Sequence, residues 1–299
     1  MIKQLTEIVG EGHVLKDAPM SRHTTFKVGG PADYLVKPTA PQQVAALKAL
    51  CRSEQIPCMV IGNGSNLLVS DAGYRGVIIK LLDNYQEVTA HDRIIHAQAG
   101  ALLSAVAKKA ARWTLTGMEF AAGIPGTIGG AMMMNAGAYG GEMKDIVSQV
   151  TVMDEGGHIA QYTAADMCFG YRDSILAHEE LTALEVTLQL EVGEEEEIKA
   201  EMERLSAQRS AKQPLEYPSA GSTFKRPEGH YAGALIEEAG LRGYRIGGAQ
   251  ISGKHCGFII NAGGATAADI KNLIDYVREP VYEKSGVMMT PEVRFVGEF

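Results

Sequence analysis

Two periods run through the hydrophobic positions of this chain, and they alternate. QVAALKALCRSE (43–54) and LLSAVAKKAARW (102–113) place apolar residues three and four apart, the spacing of an amphipathic helix. Between and after them come short runs of strand character: PCMVI, LLVS, GVIIKL, RIIHAQAG and ALEVTLQLEV. VTVMDEGGHIAQYT predicts a hairpin turning at Gly156 and Gly157. TAPQ (39–42) predicts a capping box opening the first of these helices, and TAAD (266–269) predicts another before ADIKNLIDYVREPVYEKSG. EEEEIKAEMERLSAQRSAK (194–212) begins acidic and ends basic, the order that complements a helix dipole. AGALIEEAGL reads as a short helix, and GFIIN and PEVRFVGEF as strands. The pattern is mixed α+β, with a division expected near residue 200 and no internal repeats.

Length agrees with this division, since 299 residues suit two or three compact units. Hydrophobic residues make up 45% and charged residues 21%, ordinary globular values. The apolar runs are too short for a membrane helix, which needs about 20 residues. The N-terminus is too mixed for a signal peptide, so a cytoplasmic protein is expected, without membrane partners. The net charge of −8 argues against a nucleic-acid partner. The charge is uneven, however. Between Arg204 and His255 eight basic residues face four acidic ones, a local excess of +4 that suits an anionic small molecule as well as a solvated surface. The four cysteines form no CxxC pair and no Cys/His cluster with zinc spacing. Buried free thiols, no disulfides and no metal are expected. Nothing in the sequence speaks to oligomeric state.

Two glycine loops change the picture. GNGSN (62–66) starts like a dinucleotide fingerprint, but its third glycine is absent and a strand-like LLVS follows where a helix should hold the pyrophosphate. A tight β-turn accounts for it equally well. GIPGTIGGAMMMNAGAYGG (123–141) carries seven glycines in 19 residues, where average usage of about 7% would give one or two. No Lys or Arg occurs from Trp113 to Met143, so a phosphate bound here would rest on backbone N–H groups. Met132 to Met134 read as packing. Unaided, the residues point to a phosphorylated cofactor and an anionic ligand.

TTFKVGGPADYLVKP, IGNGSNLLVSDAGYRGVIIKL, AGIPGTIGGAMMMNAGAYGGE, GYRDS, AGSTFKRP, KHCGFIIN and PEVRF occur in that order. Together they closely resemble the UDP-N-acetylenolpyruvoylglucosamine reductases, the MurB family, from about Thr24 to Phe295. Only 49 residues separate Arg172 from Ser222, which resembles the shorter class of the family, lacking an insertion that bears a substrate-binding tyrosine. The resemblance implies a PCMH (vanillyl-alcohol-oxidase-like) FAD-binding region at 1–200, in two subdomains split near 85. A smaller α/β substrate-binding domain would follow at 201–299, with its C-terminal strand returning to the active site. It implies non-covalent FAD held by Gly62, Asn63, Gly64, Ser65, Asn66, Gly123, Ile124, Pro125, Gly126, Thr127, Gly129, Gly130, Asn135, Ala136 and Gly137, with NADPH as co-substrate.

The implied reaction reduces UDP-N-acetylglucosamine enolpyruvate to UDP-N-acetylmuramate, a step of peptidoglycan precursor synthesis. Hydride would add to the terminal vinyl carbon, and charge would develop on its neighbour, spread into the carboxylate. Ser222 would then be the proton donor, Arg172 the grip on the carboxylate and Glu292 a third catalytic group, best suited to the role when protonated. Lys212, Lys225 and Arg294 would bind substrate, with Arg226 and His255 as further candidates. Taken alone, Ser222 reads as a turn or capping serine, Arg172 as a surface partner of Asp173, and Glu292 as one of Arg294. The rival reading is a PCMH-type flavin oxidase of a sugar or alcohol, which would share the loops and not require Ser222, Arg172 and Glu292.

Overall fold

The computed structural model describes residues 1–299. The chain forms two compact units: residues 1–16, 34–63 and 76–209 make the first, and 17–33, 64–75 and 210–299 the second. The division expected near 200 lies inside a helix, Glu195–Lys212, along which the chain passes from one unit to the other. Two early segments also join the second unit. For 64–75 the cause is pairing at long range: strand Leu67–Val69 runs parallel to Arg294–Val296.

The first unit has two cores. One lies on a five-stranded antiparallel sheet ordered Ile159–Thr163, Val147–Met153, Thr182–Gln189, Ile94–Gln98, Val88–His91. The expected hairpin at Gly156 and Gly157 forms its edge. Strand Thr182–Gln189 alternates inward Leu184, Val186 and Leu188 with half-buried Glu185 and Thr187, as a strand with one covered face should. Helices Leu103–Arg112 and Ile128–Met133 add Val106, Ala110, Ile128 and Met132 to this core. The second core joins helices Ile2–Val9 and Pro41–Ser53 to the parallel pair Cys58–Ile61 and Tyr74–Lys80 through Leu5, Val44, Leu47, Val77 and Ile79. The capping box expected at Thr39 is not the one that forms. Ala40 is the N-cap and Pro41 opens the helix, while the Thr39 N–H and hydroxyl both donate to Gln43 Oε1, at 2.7 and 3.1 Å. Pro41 has no N–H to satisfy, so the first turn leaves one donor fewer to cap.

In the second unit, strands Arg245–Ile246, Ala249–Ile251 and Ile259–Asn261 form an antiparallel sheet. Helix Ala267–Ser285 lays Ile270, Leu273, Ile274, Val277 and Val281 in the same core as Ala249, Ile251 and Ile259. Each such side chain contributes about 1.5–3 kcal/mol when fully buried. The expected capping box forms, Thr266 Oγ1 and the Asp269 carboxylate each accepting the other's backbone N–H at 3.0 Å. Asp71 adds a second cap, accepting from Ala267 N at 2.8 Å and Ala268 N at 2.9 Å. Across the chain, Cys51 and Cys256 are buried as expected, Cys58 is half-buried, and Cys168 is exposed, because it occupies a surface turn at φ 48°. No helix is long and apolar enough to cross a membrane.

Candidate active site

In the first unit the two glycine loops meet. A Cβ on Gly62 would stand 2.1 Å from Thr127 Oγ1, so only glycine lets the first loop lie on the second. Next to it, Asn63 Nδ2 donates to the Pro125 carbonyl at 2.6 Å. Thr127 is itself buried and accepts from Gly130 N at 3.3 Å, capping the short helix Ile128–Met133. The second loop is threaded onto the sheet side of the unit by Gly129 N to Ala99 O, 2.9 Å, Ile128 N to Ala101 O, 2.8 Å, and Leu103 N to Gly126 O, 3.0 Å. With the Ile124 and Ala136 N–H groups also bonded, to Ala121 O and Ala131 O, the donors left for an anion are fewer than the glycine count suggested.

Asn135, a residue expected at the cofactor, has its side chain held within the fold. It is fully buried at φ 39°, its Nδ2 donates to Glu142 Oε2 and Gly170 O at 3.0 Å each, and its Oδ1 accepts from Lys144 N at 2.9 Å. A side chain with no exposed surface and all of these bonds made is committed to the fold. What it fastens is the turn carrying Arg172. That turn is closed by Gly170 N to Asp173 O, 3.0 Å, and Arg172 sits in it at φ 54°, a backbone state that costs a non-glycine residue about 1–3 kcal/mol. The Arg172 guanidinium donates to Gly137 O at 2.9 Å and lies 5.3 Å from the Tyr171 ring. Asp173 accepts from His178 Nε2 at 2.8 Å. Glu142 is held below the usual carboxylate range, chiefly by the Lys144 ammonium and then by Asn135.

Arg209 was not anticipated. Its side chain lies against the second loop, 3.0 Å from where a Gly123 Cβ would be. Burial pushes its guanidinium down from its usual value, offset by the Tyr139 phenol rather than by a carboxylate. A half-buried cation offset by no carboxylate, beside a glycine loop, fits an anionic cofactor such as FAD. Its sequence signal was present: RSAK places Arg209 one helical turn before Lys212, on one face of the long helix.

The second unit pairs the segment carrying Ser222 with the segment carrying Glu292 through the backbone. Thr223 O accepts from Glu292 N at 2.8 Å, Lys225 N donates to Thr290 O at 2.9 Å, and Phe224 faces Pro291 across the same ladder. Thr223 and Phe224 are buried, fixing the segment, while Ser222 is exposed and Glu292 and Lys225 are half-buried. Thr223 N bonds Gly257 O at 2.9 Å and its hydroxyl accepts from Ile259 N at 3.0 Å. Asn66 secures the other side: its Nδ2 donates to Glu292 O at 3.0 Å and its carbonyl accepts from Arg294 N at 3.0 Å. The GNGSN motif therefore ends by holding the segment from Glu292 to Arg294. Lys212 is exposed at the end of its helix. His255 is held below its usual value by burial, then by the nearby charges of Arg242 and Lys212. Arg226 stacks 4.0 Å from the Tyr231 ring centroid and donates to His230 O at 3.2 Å.

Comparison with known proteins agrees with both halves. An FAD binding domain matches residues 32–163, and the C-terminal domain of UDP-N-acetylenolpyruvoylglucosamine reductase matches 213–296. The reductase of that name from Caldanaerobacter subterraneus is 53% identical over 100% of this chain and 98% of its own. That of Clostridioides difficile is 50% identical over 98% of this chain and 97% of its own. The crystal structure of the Thermus caldophilus enzyme superposes with a TM-score of 0.80 at 35% identity, covering 95% of this chain and 98% of its own. Phl p 4, a grass pollen allergen with glucose dehydrogenase activity, shares the fold alone: TM-score 0.51, 15% identity, 64% of this chain and 44% of its own. The expected architecture, a PCMH-type FAD-binding region with a second α/β domain, is borne out. The chain belongs to the UDP-N-acetylenolpyruvoylglucosamine reductase family.

Proposed function

We propose that this protein reduces UDP-N-acetylglucosamine enolpyruvate to UDP-N-acetylmuramate with NADPH, through non-covalently bound FAD, in the cytoplasm. The observation that carries the reading is the ladder that fixes the Ser222 segment beside the Glu292 segment, with Ser222 exposed. When bound, FAD supplies the hydride chemistry. Gly62, Asn63 and the Gly123–Gly137 loop hold the cofactor by backbone contact, and Arg209 offsets its negative charge. Ser222 donates the proton to the carbanionic carbon of the substrate. Its hydroxyl is a weak acid, so the resulting alkoxide needs a cation, and Lys225, three residues on in the same ladder, supplies it. Arg172 grips the substrate carboxylate and favours the charge that spreads into it. Glu292 acts protonated, sharing its proton with the developing enolate. Lys212 and Arg294 bind the anionic remainder of the nucleotide sugar.

An anaerobic absorption titration tests this. NADPH should bleach the flavin band, and the enolpyruvyl substrate should restore it. Restoration by oxygen only, with peroxide formed from a carbohydrate, would establish the oxidase instead. No flavin band after FAD is supplied would remove the reading of both loops.

A further inference from the structure

The first unit contains a pair of cysteines that the proposed reaction does not use. Helix Pro41–Ser53 ends in a turn closed by Ile56 N to Cys51 O at 2.8 Å and Gln55 N to Arg52 O at 3.1 Å, with Gln55 at φ 54°. This is a Schellman ending, and it folds the chain sharply back. Two residues later, Cys58 begins the strand Cys58–Ile61. The reversal returns Cys58 toward Cys51: both belong to the cluster of Val44, Leu47 and Val77, and each thiol perturbs the other.

The surroundings are asymmetric. Cys51 is buried at 1% exposure, whereas Cys58 is half-buried. Lys48, one turn before Cys51, is tethered through Nζ to Asp154 O at 3.3 Å and Thr182 Oγ1 at 3.4 Å. The charged groups acting here are Lys48 and Arg52 from the helix, Asp154 and Glu155 from the hairpin turn, and Glu180, whose carboxyl is raised by its neighbour Glu155. The neighbouring Cys51 thiol, followed by Lys48 and Arg52, lowers Cys58 to about 7 against the opposing effects of burial and Glu155. The Cys58 thiol and burial push Cys51 far up. The pair is therefore polarised, Cys58 toward the thiolate and Cys51 toward the thiol.

We propose that Cys51 and Cys58 are a peroxide-sensitive redox pair that closes reversibly into a disulfide, with Cys58 the sulfur oxidised first and Cys51 the resolving thiol. The Cys58 thiolate attacks one oxygen of hydrogen peroxide. The O–O bond breaks, hydroxide leaves and takes up a proton as water, and Cys58 becomes a sulfenic acid. Cys51 sulfur then attacks Cys58 sulfur. The S–S bond forms, the S–O bond breaks, and the hydroxyl leaves as water with the Cys51 proton. Two thiols are oxidised and one peroxide is reduced. The closed bond would tie the end of the helix to the strand that delivers Gly62 and Asn63.

The test uses the full FAD-loaded chain treated with excess hydrogen peroxide, then non-reducing peptide mapping. The expected result is a Cys51–Cys58 cross-linked peptide, loss of two of the four thiols and recovery of both with dithiothreitol. Iodoacetamide alkylation of Cys58 before oxidation should rise with a midpoint near pH 7. Cys51→Ser should convert the outcome to sulfenic and then sulfinic acid on Cys58, with no cross-link. Oxidation of exposed Cys168 ahead of Cys58, or sulfinic acid on wild-type Cys58 with Cys51 still free, overturns the proposal. The wild-type mapping decides the matter even if the buried Cys51→Ser variant fails to fold.

Discussion

Asn135 and Ser222 were both expected to touch a ligand, and the two units treat them in opposite ways. In the first unit the polar groups around the glycine loops are largely committed before any ligand arrives. Asn135 and Thr127 are buried and bonded within the fold, and Arg172 is held in a left-handed turn that donates to Gly137 O. In the second unit buried Thr223 and Phe224 carry the ladder, and Ser222 is left exposed. The first unit builds a fixed cradle from backbone and buried side chains. The second presents side-chain chemistry on a backbone that is itself fixed. Substitutions in the two should therefore fail differently, one in cofactor retention and stability, the other in a single half-reaction.

The largest effect is expected at Ser222. Ser222→Ala should leave NADPH-driven flavin bleaching within a few-fold of wild type and slow the return of the band by about 10²–10⁴-fold, the usual contribution of a general acid. Stopped-flow absorbance separates the two halves. Equal slowing of both would make Ser222 structural and erase the contrast.

Arg209→Met comes next, and its signature is two effects of opposite sign. Loss of a charge-assisted contact should weaken FAD binding about 10- to 150-fold. Thermal stability of the apoprotein should hold or rise, because the half-buried guanidinium is desolvated and offset by no carboxylate. Isothermal titration with FAD and apoprotein melting give the two readings. A fall in apoprotein stability with unchanged FAD affinity would make Arg209 a packing residue. Asn135→Ala should instead lower stability by about 2–4 kcal/mol, since it strands the Gly170 carbonyl and the Lys144 N–H. Chemical denaturation measures it. A neutral result would show that the loop and the Arg172 turn are held without Asn135.

What the sequence made legible follows the range of each interaction. The Thr266–Asp269 box and the Gly156–Gly157 hairpin are local, and both formed as read. Asp71 caps the same helix from 196 residues away, and no local pattern announces that. Leu67–Val69 read as a strand, but its partner Arg294–Val296 lies at the far end of the chain, so the boundary near 200 did not separate the units. The Thr39 box failed even at short range, because Pro41 sets the first turn and leaves Thr39 to Gln43. Ser222, Arg172 and Glu292 stand in ordered motifs that the sequence displays. The packing of Arg209 against Gly123 is a long-range contact that no local pattern announces, and a glycine-rich motif does not say which members, such as Asn135, turn their side chains inward.

The smallest expected effect lies in the second unit and sharpens the contrast from the side of pH. His255 is half-buried, its Nδ1 accepts from Gly257 N at 3.0 Å, and its ring meets Phe258 edge-on at 5.1 Å. Burial, then Arg242 and Lys212, hold it below its usual value. In the unfolded chain it titrates near about 6.5. Between that value and its lower folded one, the unfolded state binds the extra proton, so acid favours unfolding. The stability tied to neutral His255 is fully present above about pH 6.5 and declines as pH falls through that window. His255→Gln should therefore flatten the fall of Tm on the acid side of 6.5 while leaving the slope above it unchanged. Because the first unit's cradle contains no such histidine among the groups that position it, FAD retention should not follow the same curve. FAD release tracking the His255 titration would mean that the two units respond to acid as one, and the division of labour drawn between them would fail.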